Sequence, residues 1–112
     1  MSQLSLPTKP TLQNYQEYVS RMVKERGFDK ETVRDVFLLL TEEIGELAKA
    51  IRHAEKLHID ETSEKKELKG ELADVFIYLL DLSNHLGVDL EECFRKKETM
   101  NKTRTWRHGT SV

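Results

Sequence analysis

Apolar residues recur at the 3.6-residue period of a helix along nearly the whole chain, and this periodicity constrains the fold more than any other feature. In the segment LTEEIGELAKAIR, an apolar stripe consists of Leu40, Ile44, Leu47 and Ile51. No segment alternates apolar and polar residues as a half-buried strand does. The sequence therefore predicts an all-α fold.

Capping residues and glycines define the first two helices. Thr11 is a plausible N-cap for the first helix, which Gly27 stops. Asp29 can cap the second, which we expect from about residue 30 to residue 55. The polar stretch KLHIDETSE then interrupts the pattern.

Similar signals delimit the last two helices. The third is predicted to start near residue 63 or 64 and to end at Gly87. Asp89 followed by Glu92 forms a capping-box pattern, which predicts a fourth helix from residue 90 to about residue 103.

Composition limits the domain organisation and the partners. The 112 residues suit one domain, predicted at 11–106, between a flexible N-terminal arm (1–10) and a C-terminal tail (107–112). With 20 acidic and 18 basic residues, the net charge of -2 favours neither nucleic-acid polymers nor membranes as partners. The single Cys93 cannot form an internal disulfide and the N-terminus lacks an apolar signal region, so we expect a cytoplasmic protein.

The third helix is apolar over most of its circumference. Since a short link joins it to the second helix, the two should pack as an antiparallel hairpin. A hairpin with short flanking helices cannot cover that much apolar surface, which predicts a homodimer or homotetramer whose four-helix-bundle core is completed by oligomerisation. The apolar residues are Leu68, Leu72, Val75, Phe76, Leu79, Leu80, Leu82 and Leu86.

Acidic residues intrude on the apolar faces of both long helices. On the second, Glu43 lies roughly 75° from the centre of the apolar stripe, inside the apolar arc, and Glu46 lies at its edge. On the third, Glu71 lies inside the arc and Asp74 at its edge. A carboxylate in an apolar arc needs a partner, because its desolvation costs several kcal/mol.

Four facing carboxylates cannot all ionise without compensation. Either their pKa values rise or a divalent cation lies among them. An all-oxygen site favours Mg²⁺ or Mn²⁺, and Mg²⁺ commonly bridges to substrate phosphates. A single E-x-x-E on a charged helix is usually a solvated face, so the residues alone leave both a structural role and a metal site open.

The order E-E-x-x-E (Glu42 to Glu46) followed by E-x-x-D (Glu71 to Asp74) resembles the MazG-like family of all-α nucleoside triphosphate pyrophosphatases, relatives of dimeric dUTPase and dCTP pyrophosphatase. The segments EEIGELAKAIR and GELADVFIYLLDLSNHLGVDLEECFRKK are also similar, so the resemblance covers about residues 14–106. It implies Mg²⁺-dependent hydrolysis of (d)NTPs between the α- and β-phosphates, in nucleotide-pool control or removal of aberrant nucleotides.

The resemblance also implies roles for individual acids. Glu43, Glu46, Glu71 and Asp74 correspond to Mg²⁺ ligands. Glu42 corresponds to an acid that some members use for a further metal or for the attacking water, and either Glu42 or Glu43 would accept the proton of that water. The helical arc places Glu42 nearly opposite the apolar stripe, which makes its role less certain than that of Glu43.

A second group lies near the C-terminus. Lys97, Asn101 and Arg104 match a K-x-x-x-N-x-x-R pattern that contacts the nucleotide in relatives, and they fall on one face of a continuous helix. The lysine and arginine could bind phosphate oxygens. The alternative is a basic helix end favoured by the macrodipole.

Two other functions stay open at this point. One is a non-catalytic helical module that binds a nucleotide or a protein, and the other is a hydrolase like phosphoribosyl-ATP pyrophosphatase. Base and sugar preference cannot be read from the motifs, because these address phosphates. Trp106, Tyr15 and Tyr18 are candidates for contact with a base, although packing is the more ordinary role for each.

Overall fold

The computed structural model describes residues 2–56 and 67–106. These residues form four helices and no strand, which confirms the all-α prediction. The helices are α1 (Leu12–Glu25), α2 (Val33–Ala54), α3 (Leu68–His85) and α4 (Leu90–Asn101). None of them is long and apolar enough to cross a membrane.

Side-chain caps begin the first two helices. At α1, Thr11 and Asn14 form a reciprocal capping box, and the helix ends before Gly27, which has φ of 78°. At α2 the predicted cap Asp29 is wrong. Thr32 is the N-cap, because its hydroxyl accepts from the Asp35 N–H while the Asp35 carboxylate accepts from the Thr32 N–H. The helix consequently begins later than predicted, at residue 33.

The last two helices follow the predicted order with two differences. The predicted start of α3 near Ser63 or Glu64 lies outside the described residues. Within them, α3 begins at residue 68 with Glu67 as its N-cap. At α4, Asp89 accepts from the Glu92 N–H, but the Glu92 side chain forms an ion pair with Lys96 at 2.7 Å. The reciprocal half of the predicted capping box is therefore wrong.

Two contacts establish that α2 and α3 pack antiparallel, as predicted. At the C-terminal end of α3, the His85 Nε2 lies 2.9 Å from the carbonyl oxygen of Glu31, just before α2. At the other end of the pair, Glu43 in the middle of α2 meets Glu71 and Asp74 in the first turns of α3. The start of one helix thus lies beside the end of the other.

The face of α2 that packs on α3 differs from the predicted stripe. Val36, Leu40 and Ala50 are buried, with 0%, 7% and 1% of their surface exposed. Ile44 and Ile51, which the sequence assigned to the buried stripe, are 50% and 46% exposed. The prediction is wrong for these two because α2 has two apolar arcs and α3 covers only one of them.

A second apolar cluster joins α1 to α3. It consists of Val19, Met22, Val23 and Leu80, with Leu4 of the N-terminal arm packed against it. The Ser2 hydroxyl also donates to the Glu25 carboxylate at 3.1 Å. The arm has no regular secondary structure, but these contacts attach it to α1.

Apolar side chains remain exposed along both long helices. On α2 they fall at seven-residue intervals, and on α3 they occupy a similar line. We call them the open apolar stripes. Their members are Phe37, Ile44 and Ile51 on α2, and Leu72, Phe76 and Leu79 on α3 together with its C-cap Leu86.

Candidate functional site

Three carboxylates meet where α2 crosses the first turns of α3. Glu43, Glu71 and Asp74 each offer an oxygen, and these oxygens all lie within 4.8 Å of one another. The buried face of α2 brings Glu43 to this place, because it occupies the middle of the line that contains Val36, Leu40 and Ala50. The predicted intrusion of Glu43 into the apolar arc is thus confirmed.

Ionisation of the clustered carboxyls is unfavourable, as the pKa of Glu43 indicates. Burial raises the pKa of the Glu43 carboxyl above its ordinary value of 4.5, and a hydrogen bond with Glu71 raises it further. The negative charges of Asp74, Glu71 and Glu42 act in the same direction. This is one of the two compensations that the sequence predicted for facing carboxylates.

The donor set fits a hard divalent cation. All three side chains offer carboxylate oxygens, the ligands that Mg²⁺ and Mn²⁺ prefer. The Glu71 Oε2 is buried and has no hydrogen-bond partner among the described residues. A buried acceptor without a partner is unfavourable, and a cation between the helices would both bind that oxygen and offset the repulsion.

The other two predicted acids lie outside this group of three. Glu46 is one turn further along α2 on the same side as Glu43, and it is half-buried with its Oε2 enclosed. Glu42 is exposed, as its predicted position opposite the apolar stripe required. Its charge nevertheless reaches Glu43, whose pKa it helps to raise.

The predicted phosphate-binding residues do not share one helical face. Lys97 is exposed on α4, and Asn101 ends that helix with a buried Oδ1 that has no hydrogen-bond partner among the described residues. Arg104 lies beyond the helix, because the chain tightens into turns in which Thr103 and Arg104 bond to carbonyls three residues back. The expectation that Arg104 continues the helical face is therefore wrong.

The aromatic candidates divide between packing and exposure. Tyr15 and Tyr18 pack against the cluster of α1 and α3, and the Tyr15 ring meets the Phe76 ring edge-on at 5.9 Å. Trp106 is exposed and lies 5.9 Å from the Arg104 guanidinium. That distance suits a cation–π contact, which gives Arg104 a partner at the end of the chain described.

A polar stripe along α3 extends the site beyond the residues that the sequence singled out. Its members are Glu71, Asp74, Tyr78, Asp81 and His85, spaced alternately three and four residues apart, so they share one face of the helix. That spacing was the available signal for Asp81 and His85. Burial raises the pKa of Tyr78 above 10.0, and the charges of Glu43, Asp74, Glu31 and Asp81 raise it further.

The buried Asp81 pairs with the half-buried His85. Asp81 is 5% exposed, and the His85 Nδ1 lies 3.1 Å from its Oδ1 and 2.9 Å from its carbonyl oxygen. Since Nε2 also faces an oxygen, the carbonyl of Glu31, both ring nitrogens act as donors when the imidazole is protonated. The Asp81 backbone carbonyl is accordingly the main cause that raises the pKa of His85, whereas burial raises the pKa of Asp81 against the opposing effect of His85.

A pocket opens beside the cluster, between the end of α1 and the polar stripe of α3. We call it the Asp74 pocket, because that residue lies on its wall together with Phe28, Tyr78 and Asp81. Arg26 and Glu31 add charged groups to the lining. The pocket thus adjoins the three-carboxylate cluster through a residue common to both.

Comparison with known proteins gives one family. The model of the MazG nucleotide pyrophosphohydrolase domain matches residues 28–109. A dATP/dGTP diphosphohydrolase of cyanophage S-2L is 40% identical over 67 residues, which cover 60% of this chain and 51% of that protein. The chain therefore matches about half the length of this curated relative.

Solved structures agree with this result. The cyanophage S-2L MazG-like pyrophosphohydrolase, bound to dGDP and three catalytic Mn²⁺ ions per active site, is 27% identical with a TM-score of 0.68, over 93% of this chain and 90% of that one. The Bacillus subtilis protein YPJD is 26% identical with a TM-score of 0.73, over 88% of this chain and 100% of that one. The protein iMazG from Vibrio DAT 722 is 28% identical with a TM-score of 0.62, over 87% and 99%.

Proposed function

Because the chain belongs to the family of MazG nucleotide pyrophosphohydrolase domains, we propose that it hydrolyses nucleoside triphosphates between the α- and β-phosphates. The products are a nucleoside monophosphate and pyrophosphate, and the working ion is Mg²⁺, with Mn²⁺ as a substitute. The observation that carries the proposal is the cluster of Glu43, Glu71 and Asp74, with a buried Glu71 oxygen that has no partner in the part of the chain that the structure describes. The substrates of the cyanophage relative and the dGDP in the cyanophage structure support a nucleotide as the ligand.

The proposed roles of the carboxylates differ with their positions. Glu43, Glu71 and Asp74 hold the cation, with Glu46 as a further ligand one turn along α2. When bound, the cation polarises phosphoryl oxygens and makes a neighbouring water more acidic. Glu43, whose pKa is raised by burial, or the exposed Glu42 accepts the proton of the attacking water.

Positive charge for the phosphates comes from the C-terminal part of the chain. Lys97 is exposed and can offset phosphate charge, and the enclosed Asn101 can turn its amide towards a phosphate oxygen. Arg104 offers a planar fork that suits phosphate oxygens, provided that it leaves Trp106. Because α4 packs against α1, the proposal requires these residues to approach the cluster from the α1 side or from a neighbouring subunit.

Self-association is part of the proposal. The open apolar stripes lie on the same two helices as the carboxylates, and a second copy of the hairpin would cover them. The resulting four-helix bundle would form a homodimer, and two such dimers a homotetramer. Burying these side chains also removes water from the neighbourhood of the cluster.

Pyrophosphate release from a panel of nucleotides tests the activity directly. The panel contains the four dNTPs, the four NTPs and phosphoribosyl-ATP, each with Mg²⁺, with Mn²⁺ and with chelator. We expect monophosphate and pyrophosphate in equal amounts from at least one nucleoside triphosphate, and none with chelator. Hydrolysis of phosphoribosyl-ATP alone would assign a different substrate, and metal binding without any hydrolysis would favour the non-catalytic module.

A further inference from the structure

We propose that the Asp74 pocket binds a guanine base, with Asp81 as the residue that selects it. This inference rests on the proposed function, because the phosphates of the same nucleotide must lie at the three-carboxylate cluster. It goes beyond that function by naming the base and the side chain that recognises it.

The first argument is the spacing along α3. Asp74 and Asp81 are seven residues apart, so they lie on one face of the helix and about 10 Å apart along its axis. Both line the same pocket, and Tyr78 lies between them. A nucleotide with its phosphates beside Asp74 can therefore extend along this face and place its base near Asp81.

The second argument is the aromatic and apolar character of the residues that line the pocket. Phe28 and Tyr78 line the pocket with aromatic rings, and Met22 and Ile77 add apolar contacts. Aromatic faces stack on nucleobases of any kind, so these residues favour a base without selecting one. Selection must then come from the polar groups of the lining.

The third argument is the hydrogen-bonding state of Asp81. His85, whose two ring nitrogens face oxygens of Asp81 and Glu31, holds the Asp81 carboxylate in place. Burial raises the pKa of this carboxyl, and His85 opposes that effect by favouring the ionised form. An ionised carboxylate only accepts hydrogen bonds. It therefore matches adjacent donors, and the N1–H and N2–H₂ groups of guanine present two of them side by side, much as a guanidinium does.

The other bases fit this carboxylate less well. Adenine and cytosine each place a ring-nitrogen lone pair beside their amino group, and that lone pair repels a carboxylate oxygen. Thymine and uracil have one N–H between two carbonyl oxygens. Arg26, also in the lining, adds a donor pair that suits the O6 and N7 acceptors of guanine.

The test compares dGTP with dITP, which differs only by the missing 2-amino group. In the unaltered protein we expect kcat/KM for dITP to be roughly tenfold to a hundredfold lower than for dGTP, the effect of one lost charge-assisted hydrogen bond. Binding of dGMP and dIMP, measured by calorimetry at fixed Mg²⁺, should show the same order. Equal values for the two bases in both measurements would overturn the inference.

Asp81→Asn provides the second arm. An asparagine keeps the shape but offers one acceptor and one donor, which match the N6 amino group and N1 of adenine. We expect the preference to move from dGTP towards dATP by roughly tenfold or more, with the melting temperature recorded to establish that the variant folds. Asp29→Asn is the matched control, since Asp29 is exposed and lies outside the pocket lining, and it should leave the preference unchanged.

The outcomes separate this inference from the proposed function. Hydrolysis of all dNTPs with no difference between dGTP and dITP would leave the pyrophosphohydrolase intact and remove guanine selection. Absence of hydrolysis with any nucleotide would remove the proposed function, and the dGMP and dIMP affinities would still decide the role of the pocket. An unchanged ratio of kcat/KM for dGTP and dATP in a folded Asp81→Asn protein would also overturn the proposed guanine selection.

Discussion

Glu71 lies in an environment that is unfavourable without a ligand. One of its carboxylate oxygens is buried and has no hydrogen-bond partner within residues 2–56 and 67–106, and Glu43 and Asp74 lie beside it. Glu71→Gln keeps the size of the side chain and removes one charge. We expect pyrophosphate release to fall about a hundredfold or more, because a ligand contributes at least as much as the groups that orient it.

The same substitution should not harm the fold. Removing a charge from a repelling cluster relieves the interactions that raise the pKa of Glu43, so the melting temperature without metal should stay equal or rise. Glu98→Gln, on the exposed side of α4, is the control and should retain activity. Full activity of Glu71→Gln at ordinary Mg²⁺ would contradict the metal site.

The pair of Asp81 and His85 predicts a pH dependence of stability. Since the pKa of His85 is raised on folding, the contact stabilises the protein fully below pH 6.5 and is lost as the pH rises through the folded value. Burial raises the pKa of Asp81 above 3.8 in the folded protein. Its ionisation therefore also lowers the free energy of unfolding as the pH rises from 3.8 through the folded pKa. We therefore expect the free energy of unfolding in urea to decline from pH 6 to pH 8.

His85→Ala isolates this contribution. The decline between pH 6 and pH 8 should be shallower in the variant than in the unaltered protein, because the titrating ring is gone. Parallel curves for the two proteins would show that other groups cause the dependence.

At the scale of elements, Gln16 ties α1 to the turn between α3 and α4. Its side chain donates to the Asn84 Oδ1 and to the Val88 carbonyl, and accepts from the Leu90 N–H. Asn84 returns a hydrogen bond to the Gln16 backbone carbonyl at 2.9 Å. These bonds fix the direction in which α4 leaves the bundle, and with it the positions of Lys97 and Asn101.

Gln16→Ala should therefore destabilise the protein by about 2 kcal/mol, because it leaves enclosed backbone groups without partners. Gln13→Ala is the matched control on the same helix, where the side chain bonds only to Glu17 at the surface. We expect the control to change the free energy of unfolding by less than about 0.5 kcal/mol. Equal effects in urea denaturation would contradict the structural role of Gln16.

Local signals predicted the elements well, and long-range contacts account for what they missed. Thr11, Gly27, Gly87 and Asp89 end or begin helices as expected, because caps and left-handed turns depend on nearby residues. The position of Glu43 inside the apolar arc was predicted correctly because it depends only on the periodicity of one helix. The start of α2 was misplaced because Thr32, three residues after the predicted cap Asp29, forms the reciprocal bonds that make it the N-cap.

The remaining errors concern partners distant in the sequence. Ile44 was assigned to the buried side because periodicity cannot tell which of two apolar arcs meets α3. The role of His85 depends on a carbonyl 54 residues away, which no spacing along α3 indicates. Arg104 was placed on a helix that ends three residues earlier, at a boundary that is poorly defined by sequence.

At the scale of the whole molecule, the open apolar stripes leave α2 and α3 with exposed apolar side chains among the described residues. Leu79→Lys, in the open apolar stripe of α3, should prevent association, because a charge would be buried in the interface. Sedimentation at micromolar concentration should show a dimer or tetramer for the unaltered protein and a smaller species for the variant. Phe94→Lys, at a more exposed apolar site on α4, is the control and should assemble normally. A folded monomer in all three samples would contradict the proposed assembly.

The open apolar stripes have a consequence for the amount of this protein that a cell must keep. If pairing covers them, then part of the folding free energy comes from the second copy, and it follows the law of mass action. Dilution below the dissociation constant would then expose the hairpin, lower the melting temperature and deliver the chain to proteases. Halving the expression of such a protein would remove more than half of its activity, so its gene dosage would act as a threshold.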